Sequence, residues 1–303
     1  MALPRDMHEL RTSHARASEE HGPLNLTLSP SESCPCGRTR PLARCCLRKG
    51  RLAPRRTNTP RPAGTHRHDR CYAAALGGCS DKITLEHYVS HCVLEGLGSA
   101  GLRVEGLNRK PYMTYAAKFG GKVLCEAHNN ALDPLDRVGK AFFTGLATTP
   151  DHLSDRRGPP RRVRLLNGHD VERWFLKTLI GFVATFEDWE SPESWLRVLF
   201  GEEELGQGEG LVLDVLGERP AGPQRRAIRL DRIDNSQGEH LGLGVTMETF
   251  RFGLAMAPGV FTGLHRPYAL RFFHDAREAI LVLAWDSPQF NSTVHIAWHP
   301  DSP

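Results

Sequence analysis

Cys71-Tyr72-Ala73-Ala74-Ala75-Leu76-Gly77-Gly78-Cys79, then Ile83-Thr84-Leu85-Glu86-His87-Tyr88-Val89, then Cys125-Glu126-Ala127-His128-Asn129-Asn130-Ala131-Leu132-Asp133-Pro134-Leu135-Asp136 are the runs from which the fold can be read. Zinc takes four Cys or His ligands in a tetrahedron, and two short knuckles far apart in sequence are a usual way to supply them. Cys125-x-x-His128 has the spacing of one knuckle. Cys71-x7-Cys79 is wider and needs a longer finger, which the small residues from Ala73 to Gly78 permit. The competing reading is a set of buried free thiols. Two ligand pairs in one stretch favour zinc.

The β-branched and aromatic residues of 83–89 predict a strand. Neighbours on a strand point to opposite faces, so Glu86 and His87 share a side only where the strand ends or bulges. Asn129-Asn130 are placed to cap a helix from Ala131 to Phe143. On that helix Asp133 and Asp136 share a face, and Pro134 falls in the first turn, where proline is tolerated. A divalent cation between Glu86 and Asp136, with His87 against a water, is the chemical expectation.

These residues resemble the HNH endonucleases, whose fold is a two-stranded ribbon and a helix around one metal. The likeness rests on Glu86-His87, Cys125-x-x-His128-Asn129 and Leu132-Asp133-Pro134-Leu135-Asp136, within a module spanning residues 69–145. It implies that His87 is a general base and that Asn129 orients it. It implies that Glu86 and Asp136 ligate a catalytic Mg²⁺ or Mn²⁺, and that Cys71, Cys79, Cys125 and His128 hold a structural zinc. Three positions depart from the family: the first pair is not Cys-x-x-Cys, His128 stands where many members have Cys, and Asp136 replaces a usual His. The activity implied is metal-dependent hydrolysis of DNA phosphodiester bonds. The alternative is a non-catalytic zinc protein that binds nucleic acid or a protein partner.

Upstream, Cys34-Pro35-Cys36-Gly37 and Cys45-Cys46 have the spacing Cys-x-Cys-x8-Cys-Cys. Four thiols this close can close around one zinc with almost no hydrophobic core. The pattern resembles the SEC-C motif, a zinc knuckle that serves as a binding accessory. Residues 31–52 are assigned to it, and two zinc ions per chain are expected.

The chain of 303 residues carries a net charge of +4, unevenly spread. Between Pro35 and Arg70 there are eleven Lys or Arg and one acid, Asp69. Such a block binds polyanions or stays solvated more often than it packs. Residues 53–68, with Pro54, Pro60 and Pro62, read as a basic linker whose Arg55, Arg56 and Arg61 are candidates for phosphate contacts. Eight cysteines without a secretory signal argue for metal over disulfides and for a cytoplasmic setting.

The remaining expectations are these. Residues 1–30 are polar and expected to be disordered. Within the insertion from Ser90 to Lys122, a short helix is expected over Val89–Leu97, a loop over Tyr112–Gly121, and Cys92 as a buried thiol. A basic hinge at 146–165 marks a domain boundary. Beyond it, 166–303 reads as an α+β domain. It opens with a helix from Asp170 to about Phe186, buried on one face, and continues as a meandering antiparallel sheet. The fold class is therefore α+β: a knuckle, an HNH-like ββα module and a mixed C-terminal domain. Its scattered histidines lack ligand spacing and are read as structural.

Overall fold

The computed structural model describes residues 15–21, 26–97, 102–106, 112–114, 119–215, 228–247, 250–287 and 289–298. Strand β1 is Ala15–His21, and a small hairpin, β2 (Leu47–Arg48) and β3 (Arg51–Leu52), closes the first cysteine knuckle. The central stretch is β4 (Ile83–His87), α1 (His91–Leu97), β5 (Leu102–Gly106), β6 (Tyr112–Thr114), β7 (Gly120–Cys125) and α2 (Glu126–Ala147). Next come α3 (Thr149–Ser154), β8 (Arg161–Asn167), α4 (Gly168–Phe186) and α5 (Glu193–Leu199). The C-terminal strands are β9 (Gly210–Val215), β10 (Ile228–Asp234), β11 (His240–Met247), β12 (Phe250–Ala255), β13 (Leu264–His265), β14 (Ala269–His274), β15 (Arg277–Ala284) and β16 (Ser292–Trp298).

β4 and β7 form a separate antiparallel ribbon, and β7 runs directly into α2. The ribbon's register shifts between Thr84 and Glu86, so the strand does bulge where Glu86 turns inward. Leu85, between them, faces solvent, while Glu86 is buried. Cys125 is the N-cap residue of α2, and the helix starts at Glu126. Asn129 and Asn130 therefore lie inside the helix rather than capping it, and Pro134 sits in its interior rather than its first turn. The knuckle ends the strand and starts the helix, which is why the helix begins earlier than asparagine capping suggests.

α4 is the element on which the rest packs. Asn167 caps it, its side chain accepting from the Asp170 N–H at 3.2 Å. The apolar period predicts one buried face, yet every residue from Gly168 to Val183 is buried. The reason is that α4 meets α2, β4 and β7, strands β9, β11 and β12, and α5. Its charged residues are paired instead of exposed: Arg173 with Asp170 at 3.1 Å and Glu172 with Arg266 at 2.7 Å. Where α2 passes α4, a Cβ on Gly139 would lie 2.3 Å from Trp174 Nε1, so only glycine allows that approach.

One continuous apolar core runs from Cys71 through α2, α4 and α5 to Ile296. The stretch expected to be a hinge, 146–165, contains α3 and much of β8, and buried residues from both sides of it share one apolar cluster. The C-terminal strands do not form a single meander. They divide between a five-stranded sheet, β1-β16-β14-β15-β8, and a seven-stranded sheet, β13-β9-β12-β11-β10-β5-β6. Both sheets are mixed, because β8 pairs parallel to β15, β14 to β16, and β5 to β10. Within the segment expected to be disordered, Ala15–His21 is strand β1, which pairs with β16 at the edge of the sheet among the described residues.

The knuckle packs Cys34, Leu42 and Cys46 against Leu165, Ala269, Ile280, Val282 and Ala284 of the five-stranded sheet. The linker after it is extended but not free. Thr57 N–H donates to Asp170 Oδ2 at 2.6 Å, Thr59 Oγ1 to the Phe200 carbonyl at 3.1 Å, and Asn167 Nδ2 to the Pro54 carbonyl at 3.1 Å. No helix among the described residues is long and apolar enough to cross a membrane.

Candidate functional site

Cys71, Cys79, Cys125 and His128 come together as one buried cluster, their ligand atoms all within 4.8 Å of one another. The wide finger closes because Gly77 and Gly78 both adopt positive φ, 70° and 73°, after the short 3-10 turn Ala74–Leu76. His128 Nδ1 lies 3.1 Å from Cys125 Sγ, 3.6 Å from Cys71 Sγ and 3.7 Å from Cys79 Sγ. Zn–S and Zn–N bonds in a tetrahedron put N and S about 3.6 Å apart, so the set fits zinc. Burial, followed by the Arg61 charge, lowers His128 to a pKa of about 4, which keeps its imidazole in the neutral form that ligates metal. Burial pushes the Cys71 thiol up. At Cys125 burial is outweighed by backbone hydrogen bonds from His128 and Ser80, and the thiol is lowered.

Cys34, Cys36, Cys45 and Cys46 form a second cluster of the same kind. Cys36 Sγ is 3.5 Å from Cys45 Sγ, and Cys46 Sγ is 3.6 Å from Cys45 Sγ, near the edge length of a tetrahedral thiolate site. The two sites expected from spacing are therefore both assembled, and both are compatible with zinc.

The acidic residues behave differently. Glu86 on β4 and Asp136 on α2 do converge, separately from the cysteine cluster. Their meeting point holds Lys177 of α4: its Nζ is 2.7 Å from Glu86 Oε1 and 2.6 Å from Asp136 Oδ1. Lys177 and Glu86 are each only 3% exposed at the side chain. Asp136 Oδ1 also accepts from Ser90 Oγ at 2.5 Å, and Trp174 Nε1 donates to Ser90 Oγ at 2.7 Å. Burial pushes the Glu86 carboxyl up to about 7, with Lys177 opposing and Asp136 adding to the shift. The two carboxylates, against burial, raise Lys177 above its ordinary value. A divalent ion drawn to this pair meets an ammonium already between the oxygens, so the residues as placed do not fit a catalytic metal.

His87 is half-buried, and its Nε2 has no hydrogen-bond partner. Burial, His91 and Lys177 lower its pKa against the pull of Asp136. Asn129 Nδ2 donates to Thr84 Oγ1 at 3.0 Å, from helix α2 to strand β4 rather than to His87. Asp133 is exposed and paired with Arg137 at 2.8 Å. Cys92 is half-buried, its Sγ 3.5 Å from the Asp136 carbonyl. Of the linker arginines, Arg56 is paired with Glu204 and Asp286, and Arg61 with Glu202 at 3.3 Å. Arg55 is exposed.

Sequence reasoning missed Lys177, Ser90 and Trp174. One signal was available: a lysine inside the otherwise apolar run Trp174-Phe175-Leu176-Lys177-Thr178-Leu179 must find buried counter-charges. No known family, no curated protein and no solved structure matches the chain.

Proposed function

We propose that this chain is a zinc-braced nucleic-acid-binding protein, in which an HNH-like ββα unit serves as scaffold. The carrying observation is the first knuckle. Arg38, Arg40, Arg44, Arg48, Lys49 and Arg51 are all exposed there and pair with no described acid, and Glu32 is the one acid of residues 31–52. Cations held on a small rigid unit gain affinity for phosphates by releasing the nucleic acid's counterions. In this reading both cysteine clusters hold zinc, which folds the knuckle where the apolar contacts alone are few. Lys177 gives the Glu86–Asp136 pair an internal counter-ion, which offsets the cost of burying Glu86.

The test is binding of labelled duplex DNA across a salt series, with the triple variant Arg38→Gln, Arg40→Gln, Arg48→Gln. If all three touch phosphate, the slope of log affinity against log salt falls by roughly 0.9 per lost contact on duplex DNA. An unchanged slope rejects the reading.

A DNA endonuclease is the second reading, favoured by one observation: His87 Nε2 is buried without a partner, close enough to Asp136 and Lys177 to feel both charges. It requires Lys177 to leave the carboxylates. Plasmid nicking with Mg²⁺ or Mn²⁺ that disappears in His87→Ala would replace the scaffold reading with this one.

A further inference from the structure

Among the described residues, one face of the five-stranded sheet is covered at one end only. Side chains alternate along strands, so Leu165, Val163 and Arg161 of β8 share a face. In register with them are Val282, Ile280 and Glu278 of β15, then Ala269, Arg271 and Phe273 of β14, then Thr293, His295 and Ala297 of β16. The knuckle lies on the Leu165–Val282–Ala269 end. At the other end the same face opens into a cleft of about 490 Å³, lined by Arg271, Phe273, Asp275, Arg277, Glu278 and His295. Phe273 is one of three large apolar side chains left exposed among the described residues, at 38%.

The charges in this cleft are organised. Glu278 is nearly buried and sits between two guanidiniums, Arg161 from β8 and Arg271 from β14, the latter at 2.8 Å. Burial pushes its carboxyl up, but Arg161 and Arg271 outweigh that and hold it below the ordinary range. Both arginines contact Glu278 through Nε. One carboxylate thus orients two cations and leaves an excess of positive charge, with terminal amino groups for a ligand. Arg277 is fixed at the rim through the His152 and Pro159 carbonyls. The remaining acid, Asp275, lies 3.6 Å from His274.

We propose that this cleft binds single-stranded nucleic acid, one base stacking on Phe273 and the adjoining phosphates lying on Arg271 and Arg161. It rests on the nucleic-acid-binding reading above and adds the place and the strandedness. An exposed ring beside oriented guanidiniums matches a base with its phosphate, and a duplex keeps its base faces inside the stack. A strand leaving the cleft along this face arrives at the knuckle and its exposed cations.

The experiment uses the full chain in a His87→Ala background without added divalent ion, which removes any cleavage. Fluorescence anisotropy follows a labelled oligo-dT and a hairpin duplex of equal charge, with inorganic polyphosphate as competitor. The single strand is expected to bind more tightly than the duplex. Phe273→Ala should weaken it roughly five- to hundredfold, the range of one lost base stack, and leave duplex binding unchanged. Arg271→Gln should weaken it and lower the salt slope by about 0.7, and Arg271→Lys should restore the slope. If oligo-dT binds but both variants bind like the parent, the cleft is not the site, although the nucleic-acid-binding reading stands. If polyphosphate competes as well as oligo-dT and Phe273→Ala has no effect, the face recognises phosphate alone and the proposal fails. If neither nucleic acid binds, both proposals fall.

Discussion

One ribbon and one helix gather two sets of polar ligands, and the two centres are filled differently. Cys71, Cys79, Cys125 and His128 bring one imidazole nitrogen and three sulfurs within 4.8 Å of one another at the start of α2. Glu86 and Asp136, further along the same ribbon and helix, surround the Lys177 ammonium. The contrast follows from protonation. A buried thiol can wait as a neutral group, at little cost, until a metal displaces its proton, and a neutral imidazole binds directly through its unprotonated nitrogen. A buried carboxylate ionises unless its pKa climbs, and an unpaired buried charge is expensive. The soft-ligand cluster therefore needs no counter-charge from the chain, whereas the carboxylate pair is closed by a cation of the chain's own.

Breaking the first centre should have the largest effect. Cys125→Ser removes a ligand and the residue that joins β7 to α2. Structural zinc contributes on the order of 10 kcal/mol in small zinc units. The expected outcome is one zinc per chain instead of two by elemental analysis, with loss of a cooperative melting transition for the core. A variant that still holds two zinc ions, or melts like wild type, would remove the cluster from the account.

Breaking the second centre should cost less and be repairable. Lys177→Met leaves two carboxylates facing each other in the interior, and breaking a buried pair in this way typically costs about 3–5 kcal/mol. Adding Glu86→Gln should recover much of that loss. Denaturant titrations of the single and double variants give the coupling directly. If Lys177→Met falls by less than about 0.5 kcal/mol, or Glu86→Gln adds further loss, Lys177 is not the counter-ion of this pair. Mn²⁺ that raises the melting temperature of Lys177→Met alone, and not of wild type, would show that the lysine stands in for a cation.

The two centres were unequally legible in the sequence. Cysteine and histidine ligands come in short spaced pairs because a tetrahedron must be closed locally, so Cys125-x-x-His128 and Cys34-x-Cys36 declare themselves. The convergence of Glu86 and Asp136 could also be read, from a strand end and a helix face. Lys177 could not be placed, because its partners lie on β4 and α2, and periodicity does not say which elements will cover a helix. The same limit explains the sheets. Short apolar runs mark strands, but the parallel pairs β8–β15 and β5–β10 depend on long crossovers that local patterning does not specify. β1 escaped because Ala15-Arg16-Ala17-Ser18-Glu19-Glu20-His21 lacks β-branched and aromatic residues other than histidine.

pH offers a finer separation. Glu86 rises from 4.5 to about 7 on folding, so its protonated form is favoured in the native state. Its contribution is fully present below about pH 4.5 and is lost as pH rises to about 7. Lys177, raised above its ordinary value, does not titrate in that window. His87 is lowered and works in the opposite direction, but it is common to both proteins compared. Wild type should therefore lose stability relative to Glu86→Gln across that range, by up to about 1.4 kcal/mol per pH unit. Parallel curves would mean that Glu86 stays ionised throughout, with Lys177 neutralising it fully.

The smallest effect concerns the link between the two centres. Asn129 lies one turn into α2, next to His128 of the cysteine cluster, and Thr84 lies at the register shift that turns Glu86 inward. Asn129 Nδ2 donates to Thr84 Oγ1 at 3.0 Å, and Thr84 Oγ1 donates onward to the Leu124 carbonyl at 3.1 Å. The chain of bonds ties helix to ribbon between the cysteine cluster and the carboxylates. Asn129→Ala should cost about 1 kcal/mol, the net worth of one such bond, and Thr84→Val a similar amount. The double variant should cost less than the sum, since each single change already breaks the shared bond. Zinc content should stay at the wild-type value in all three, because neither residue is a ligand. Additive costs would show that Asn129 and Thr84 act separately. Loss of zinc in Asn129→Ala would show that the helix start, and with it His128, depends on this bond.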